Sequence, residues 1–165
     1  MNHAELIERG VKWLKRQKGQ LYSSPVILTE FHSFANEIPD IIGFSHHNTV
    51  VIECKASISD FKADQNKSHR HRMVGKKLGN HRFYLCPAKL LVPDLIPEGW
   101  GLLYCHPGKI TTEIPAPRHN DPYIRAEEYK VLYSIARRTV IRGMMPSIVG
   151  PEPGGVWTKF NESQR

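Results

Sequence analysis

Three residues in the first third of the chain carry the chemistry that a phosphodiester hydrolase needs. Asp40 follows a proline and opens the apolar run Ile41-Ile42-Gly43-Phe44. Thirteen residues on, a second apolar run, Thr49-Val50-Val51-Ile52, ends in Glu53-Cys54-Lys55. Asp40 and Glu53 offer hard anionic oxygens, the ligands Mg²⁺ prefers. The Cys54 carbonyl could add a neutral oxygen. A cation held there would polarise a phosphoryl oxygen and acidify a bound water. Lys55 could orient that water or offset charge in the transition state.

The two apolar runs are short, rich in β-branched residues and separated by the polar turn Ser45-His46-His47-Asn48, so they read as a β-hairpin. Alternate strand residues share a face. Val51, Glu53 and Lys55 therefore point one way, and Val50, Ile52 and Cys54 the other. Glu53 and Lys55 are roughly 6–7 Å apart along the strand. A packed strand end has no use for both charges unless they are paired or functional. The bland alternative is a surface ion pair beside a turn-capping aspartate. His46 and His47 lack an accompanying acid or thiol and read as exposed turn residues.

Pro39-Asp40, the thirteen-residue spacing and Glu53-Cys54-Lys55 resemble the PD-(D/E)XK nuclease superfamily, also called the restriction-endonuclease-like fold. The continuation Ala56-Ser57-Ile58-Ser59-Asp60-Phe61 resembles a bacterial and phage branch of it, in which a Ser-x-x-Asp-Phe segment follows the lysine. The resemblance covers about residues 5 to 112. It implies an α/β core, a mixed central sheet of about four or five strands flanked by helices. It also implies Mg²⁺-dependent DNA hydrolysis, with Mn²⁺ able to substitute and a 5′-phosphate on the product. Asp40, Glu53 and Lys55 would be catalytic, with Asp40, Glu53 and the Cys54 carbonyl on the metal. Members of the superfamily place a further acid on the first helix or nearby. Glu30 is preferred here over Glu5 and Glu8. Asp60, close behind the catalytic strand, would support Lys55 or the metal waters.

Charge points to the same partner. The chain of 165 residues carries a formal net charge of +7. Between Lys62 and Lys89 lie eight basic residues against the single acid Asp64. Lys62, Lys67, Arg70, Arg72, Lys76 and Lys77 form the expected DNA-contacting set, because a basic stretch beside a carboxylate site suits a phosphate backbone. A non-catalytic nucleic-acid-binding module is the alternative. A small-molecule phosphohydrolase is a third reading, but no GxxxxGK[ST] loop is present and the basic stretch would go unexplained.

The surrounding elements must position these groups. Residues 3–18 read as an amphipathic helix with Leu6, Ile7, Val11, Trp13 and Leu14 on one side. Val26–Phe31 reads as a first strand carrying Glu30, and 32–38 as a loop that could lie over the site, with His32 and Glu37 exposed to solvent. A polar helix is expected from Ser59 to about Leu78, capped by Ser59 or Asp60. Strands follow at 81–87, 100–105 and 110–114, the last two closing on the turn His106-Pro107-Gly108-Lys109. A long helix spans Tyr123–Ile141, with Tyr129, Leu132, Tyr133 and Ala136 as its apolar face. The reading is one nuclease-like domain over 1–145 and a Pro/Gly-rich tail over 146–165. Trp157 and Phe160 in the tail are apolar enough to pack back on the domain or across a homodimer. Three widely spaced cysteines without a CxxC pair fit a reducing compartment, and no run is long enough to span a membrane, so a cytoplasmic protein is expected.

Overall fold

The structure, a computed structural model, describes residues 1–17, 20–65 and 77–142. Helix α1 (His3–Arg16) is followed by strands β1 (Val26–Thr29), β2 (Ile41–Phe44) and β3 (Thr49–Cys54). Helix α2 (Ile58–Gln65), strand β4 (His81–Pro87) and a single 3₁₀ turn (Pro93–Leu95) come next. Strands β5 (Gly101–Cys105) and β6 (Ile110–Ile114) and helix α3 (Pro122–Ile141) complete the described chain. One compact unit, Met1–Val131, holds all the described strands; a second begins at Leu132, within α3.

The protein is α/β, with one mixed sheet in the order β1-β2-β3-β4-β5-β6. β3, β4 and β5 run parallel, and the outer pairings are antiparallel. The sheet has six strands rather than four or five. Its two edge strands, β1 and β6, are short and only half-buried, but both pair into the same ladder.

The central strands are buried on both faces, as parallel strands covered on both sides must be. On one face Leu6, Trp13 and Leu14 of α1 pack on Ile41, Val50, Ile52, Cys54, Phe83 and Leu85. On the other, Phe61 of α2 meets Tyr84, Cys86, Leu91, Leu102 and Tyr104. Alternation along β3 thus sends Cys54 into the α1 core and leaves Glu53 and Lys55 on the α2 face. Gly101 exists for close packing. A Cβ there would lie 2.4 Å from the Phe83 ring and 2.7 Å from the Ala116 backbone nitrogen. Neither can withdraw cheaply, so Gly101→Ala is expected to lower stability by about 1–3 kcal/mol. An unchanged urea midpoint would contradict this packing.

Several boundaries differ from expectation. β1 stops at Thr29, one residue short of Glu30. The α2 cap is Ser57, whose Oγ accepts from Asp60 N at 3.1 Å, in place of Ser59 or Asp60. The described part of α2 ends at Gln65; the expected continuation to Leu78, along with Lys67, Arg70, Arg72 and Lys76, lies outside the described residues. So does the expected tail over 146–165, with Trp157 and Phe160. In α3 the buried positions of the first half are Ile124, Glu127 and Val131. Tyr129, Leu132 and Tyr133, expected as the apolar face, are exposed. The helix phase follows Ile124 and Val131, while the Glu127 carboxylate turns inward to accept from Asn36 N at 3.0 Å.

Candidate active site

Asp40 sits at the entrance to β2, directly across from the exit of β3. Its Oδ2 accepts a 2.7 Å hydrogen bond from Cys54 N, which clasps the two strand ends together. Its Oδ1 lies 3.4 Å from His3 Nε2, at the start of α1. Nothing in the sequence pattern marks His3 for that place. Burial pushes the Asp40 carboxyl above its ordinary value, against the pull of the Cys54 amide, His3 and Lys55, while Glu30 adds to the upward push. A carboxylate held in this way is stabilised by any further positive charge brought to it.

Glu53 and Lys55 are not a surface pair. They are 7% and 4% exposed, and Lys55 Nζ lies 3.5 Å from Glu53 Oε2. The Lys55 backbone is fixed by donation from its N–H to Leu85 O at 2.8 Å, which extends the β3–β4 ladder past the formal end of β3. The ammonium also lies 3.5 Å from Oδ1 of Asp64, a residue of α2 that is 1% exposed. Tyr84, the register partner of Glu53, donates its hydroxyl to Asp64 Oδ2 at 3.2 Å.

Asp60, expected to brace Lys55, serves the backbone instead: its Oδ2 accepts from Ala56 N at 3.3 Å. Asp64, one turn later, faces the lysine. Their roles could not be separated in sequence, because residues four apart share a helix face. What separates them is the packing of Phe61 against Tyr84, with ring centroids 5.1 Å apart, which sets the phase of α2 on the sheet.

The other acids fall into two groups. Glu30 is exposed, but it stands beside Asp40, since its N–H donates to the Asp40 carbonyl at 3.0 Å. Its φ of 44° is left-handed, a conformation that costs a non-glycine residue about 1–3 kcal/mol and that ends β1 at this point. Glu5 and Glu8 are elsewhere. Glu5 completes a capping box with Asn2 through two 2.9 Å bonds, and Glu8 pairs with Lys12 on the exposed side of α1. Both are sufficiently explained by the helix itself.

The loop before Asp40 is anchored rather than free. Glu37, expected to be exposed, takes the buried Arg82 guanidinium in a two-pronged pair at 2.5 and 3.0 Å and accepts from Leu78 N at 2.6 Å. Arg82, counted among the basic stretch by sequence, is 3% exposed and lies over the Trp100 ring at 4.4 Å. It is unavailable to a phosphate backbone. Of the expected DNA contacts, Lys62 and Lys77 are exposed. His46 and His47 are exposed in the β2–β3 turn.

No group of three or more His, Cys, Asp or Glu side chains converges as a metal cage among the described residues. Zinc would need such a set. Mg²⁺ does not, because it binds through one or two carboxylates and keeps several waters. Asp64 and Glu53 both lie 3.5 Å from the ammonium of Lys55, and Asp40 also feels that charge. Asp40 and Glu53 are carboxylates, the hard donor type that such a cation takes.

No protein-family profile and no curated protein sequence matches this chain. Among solved structures, the SPO1766 protein of unknown function from Silicibacter pomeroyi is similar, with a TM-score of 0.58. The match covers 91% of this chain and 97% of that one, at 23% sequence identity. At that identity the likeness shows a shared fold alone. No described helix is long and apolar enough to cross a membrane.

Proposed function

We propose that the protein is a divalent-metal-dependent deoxyribonuclease with a restriction-endonuclease-like core. One observation carries the reading: an acid and a lysine, both almost wholly buried, share the α2 face at the end of β3, where Asp40 is clasped to the Cys54 amide. Fold stability alone gives no reason to bury such charges, since well-packed apolar residues would serve as well or better.

Asp40 and Glu53 would hold Mg²⁺, or Mn²⁺ in its place, with the Cys54 carbonyl as a neutral neighbour and Glu30 alongside. The cation supplies Lewis acidity and an acidified water. Lys55 would donate to the water or to the phosphoryl oxygen that gains charge. The rigid strand ends set the distance between acid and ammonium before substrate arrives, so little reorganisation remains for the reaction. Exposed Lys62 and Lys77 would attract the phosphate backbone, and binding should weaken steeply with salt.

Labelled plasmid, single-stranded and branched DNA, each with Mg²⁺, Mn²⁺ or EDTA, test this. Wild type is expected to cut only with metal. Asp40→Asn keeps an oxygen acceptor for Cys54 N but loses the charge, and should lower cutting by about 100-fold or more. One observation favours a non-catalytic nucleic-acid-binding module instead: Lys55 already lies 3.5 Å from each of two carboxylates. DNA that is bound in a salt-sensitive way but never cut, even with Mn²⁺, would establish that second reading.

A further inference from the structure

We propose that Asp64, which lies outside the Asp40/Glu53/Lys55 motif, is a positioning residue of the same site. It shares the charge of Lys55 with Glu53 and helps hold the ammonium in place, so that Glu53 is not the lysine's sole counter-ion when a divalent cation binds. The inference rests on the nuclease reading above and adds a residue and a role to it.

Lys55 Nζ lies between two carboxylates, at 3.5 Å from Glu53 Oε2 and 3.5 Å from Asp64 Oδ1. With Glu53 as its sole acidic neighbour, the lysine would compete with a cation for that carboxylate. A bare ammonium–carboxylate pair is neutral and has little further attraction for Mg²⁺. Asp64 changes the balance: it can answer Lys55 while Glu53 turns to the metal.

The geometry around Asp64 suits a fixed counter-ion. Its side chain is 1% exposed, so its charge acts across the protein interior rather than through water. Tyr84 holds the other carboxylate oxygen from its hydroxyl at 3.2 Å, and that hydroxyl in turn accepts from Gln65 Nε2 at 2.9 Å. The Tyr84 ring is stacked on Trp100 with centroids 4.3 Å apart, and Trp100 carries Arg82, the partner of Glu37. One continuous set of contacts therefore runs from the lysine to the loop that delivers Asp40. Outer groups of this kind commonly tune metal affinity and activity by 10–100-fold, by orienting those that touch the metal.

The test is Asp64→Asn in the full chain. Mn²⁺ affinity is measured by calorimetry without DNA, alongside the melting temperature and the kcat and KM of plasmid cleavage. Asparagine keeps the size and an acceptor for Tyr84 but no longer offsets the ammonium. Mn²⁺ affinity should fall by about 10-fold or more and kcat should fall with it, while KM for DNA changes little. Asp64→Glu should recover part of both. Tyr84→Phe, which removes only the hydroxyl, should shift both in the same direction by a smaller factor, and it decides the matter if Asp64→Asn fails to fold. A wild type that binds Mn²⁺ and cuts DNA, beside variants altered only in melting temperature, overturns the role given to Asp64 alone. A wild type that neither binds Mn²⁺ nor cuts DNA overturns the nuclease reading and this inference with it.

Discussion

Glu53→Gln is expected to reduce Mg²⁺-dependent DNA cleavage by about 100-fold or more while leaving a folded protein. The expectation depends on the two-sided environment of Lys55. Removing one member of a buried ion pair ordinarily strands the other and costs several kcal/mol. Here Asp64 remains 3.5 Å from the ammonium when Glu53 loses its charge, so the lysine keeps a counter-ion. Glutamine is the same size and retains an oxygen, so it can occupy the same place at the end of β3. What disappears is the second anionic oxygen available to a cation. Lys55→Met should behave differently. It removes the ammonium that lies 3.5 Å from both Glu53 and Asp64, which are buried at 7% and 1%, so it should lose cleavage and also roughly 3 kcal/mol of stability. Thermal melts run beside plasmid nicking separate the two. If Glu53→Gln nicks DNA as fast as wild type, Glu53 is not a metal ligand and the proposed chemistry fails.

The site was legible in sequence where local rules govern it. β-branched runs bounded by turn residues locate β2 and β3, and strand alternation puts Glu53 and Lys55 on one face, where Lys55 meets Asp64 of α2, with Cys54 in the core on the other. The 81–87 and 110–114 strands likewise follow from short apolar or β-branched runs between breakers. What escaped was every contact that depends on how elements dock. The clasp from Asp40 to the Cys54 amide is a side-chain bond across two strand ends, and no spacing encodes it. Asp60 and Asp64 share a helix face, so only the seating of Phe61 decides which meets the lysine. Arg82 looks like one more cation in a basic stretch until β4 is placed in the sheet, where its position is interior and an acid 45 residues away must answer it. All six strands are legible one by one as short apolar or β-branched runs; the expectation of four or five in the sheet comes from the resemblance, and the runs at 26–29 and 110–114 pair as its two edges.

That acid gives the second large effect. Glu37→Gln should destabilise the fold by roughly 3 kcal/mol, more than the reciprocal Arg82→Met. The asymmetry follows from exposure. The Arg82 side chain is 3% exposed and cannot regain water when its partner is neutralised, whereas the Glu37 side chain, 22% exposed, can. Glutamine still offers an oxygen to Leu78 N and to one prong of the guanidinium, but its amide then faces the other prong as donor against donor. Stacking on Trp100 persists, and it is worth less than a carboxylate to a desolvated guanidinium. For a chain of this size the shift amounts to a melting temperature lower by roughly 10 °C. The double variant, Glu37→Gln with Arg82→Met, should recover much of the loss, because no stranded charge remains. Its coupling energy measures the pair directly. Equal single-variant losses that simply add would show that the two residues act independently. Function should follow stability through a separate route. Glu37 stands three residues before Asp40, so releasing it loosens the loop that aims that carboxylate. Cleavage by Glu37→Gln, measured well below its melting temperature, is therefore expected to fall even while the protein stays folded.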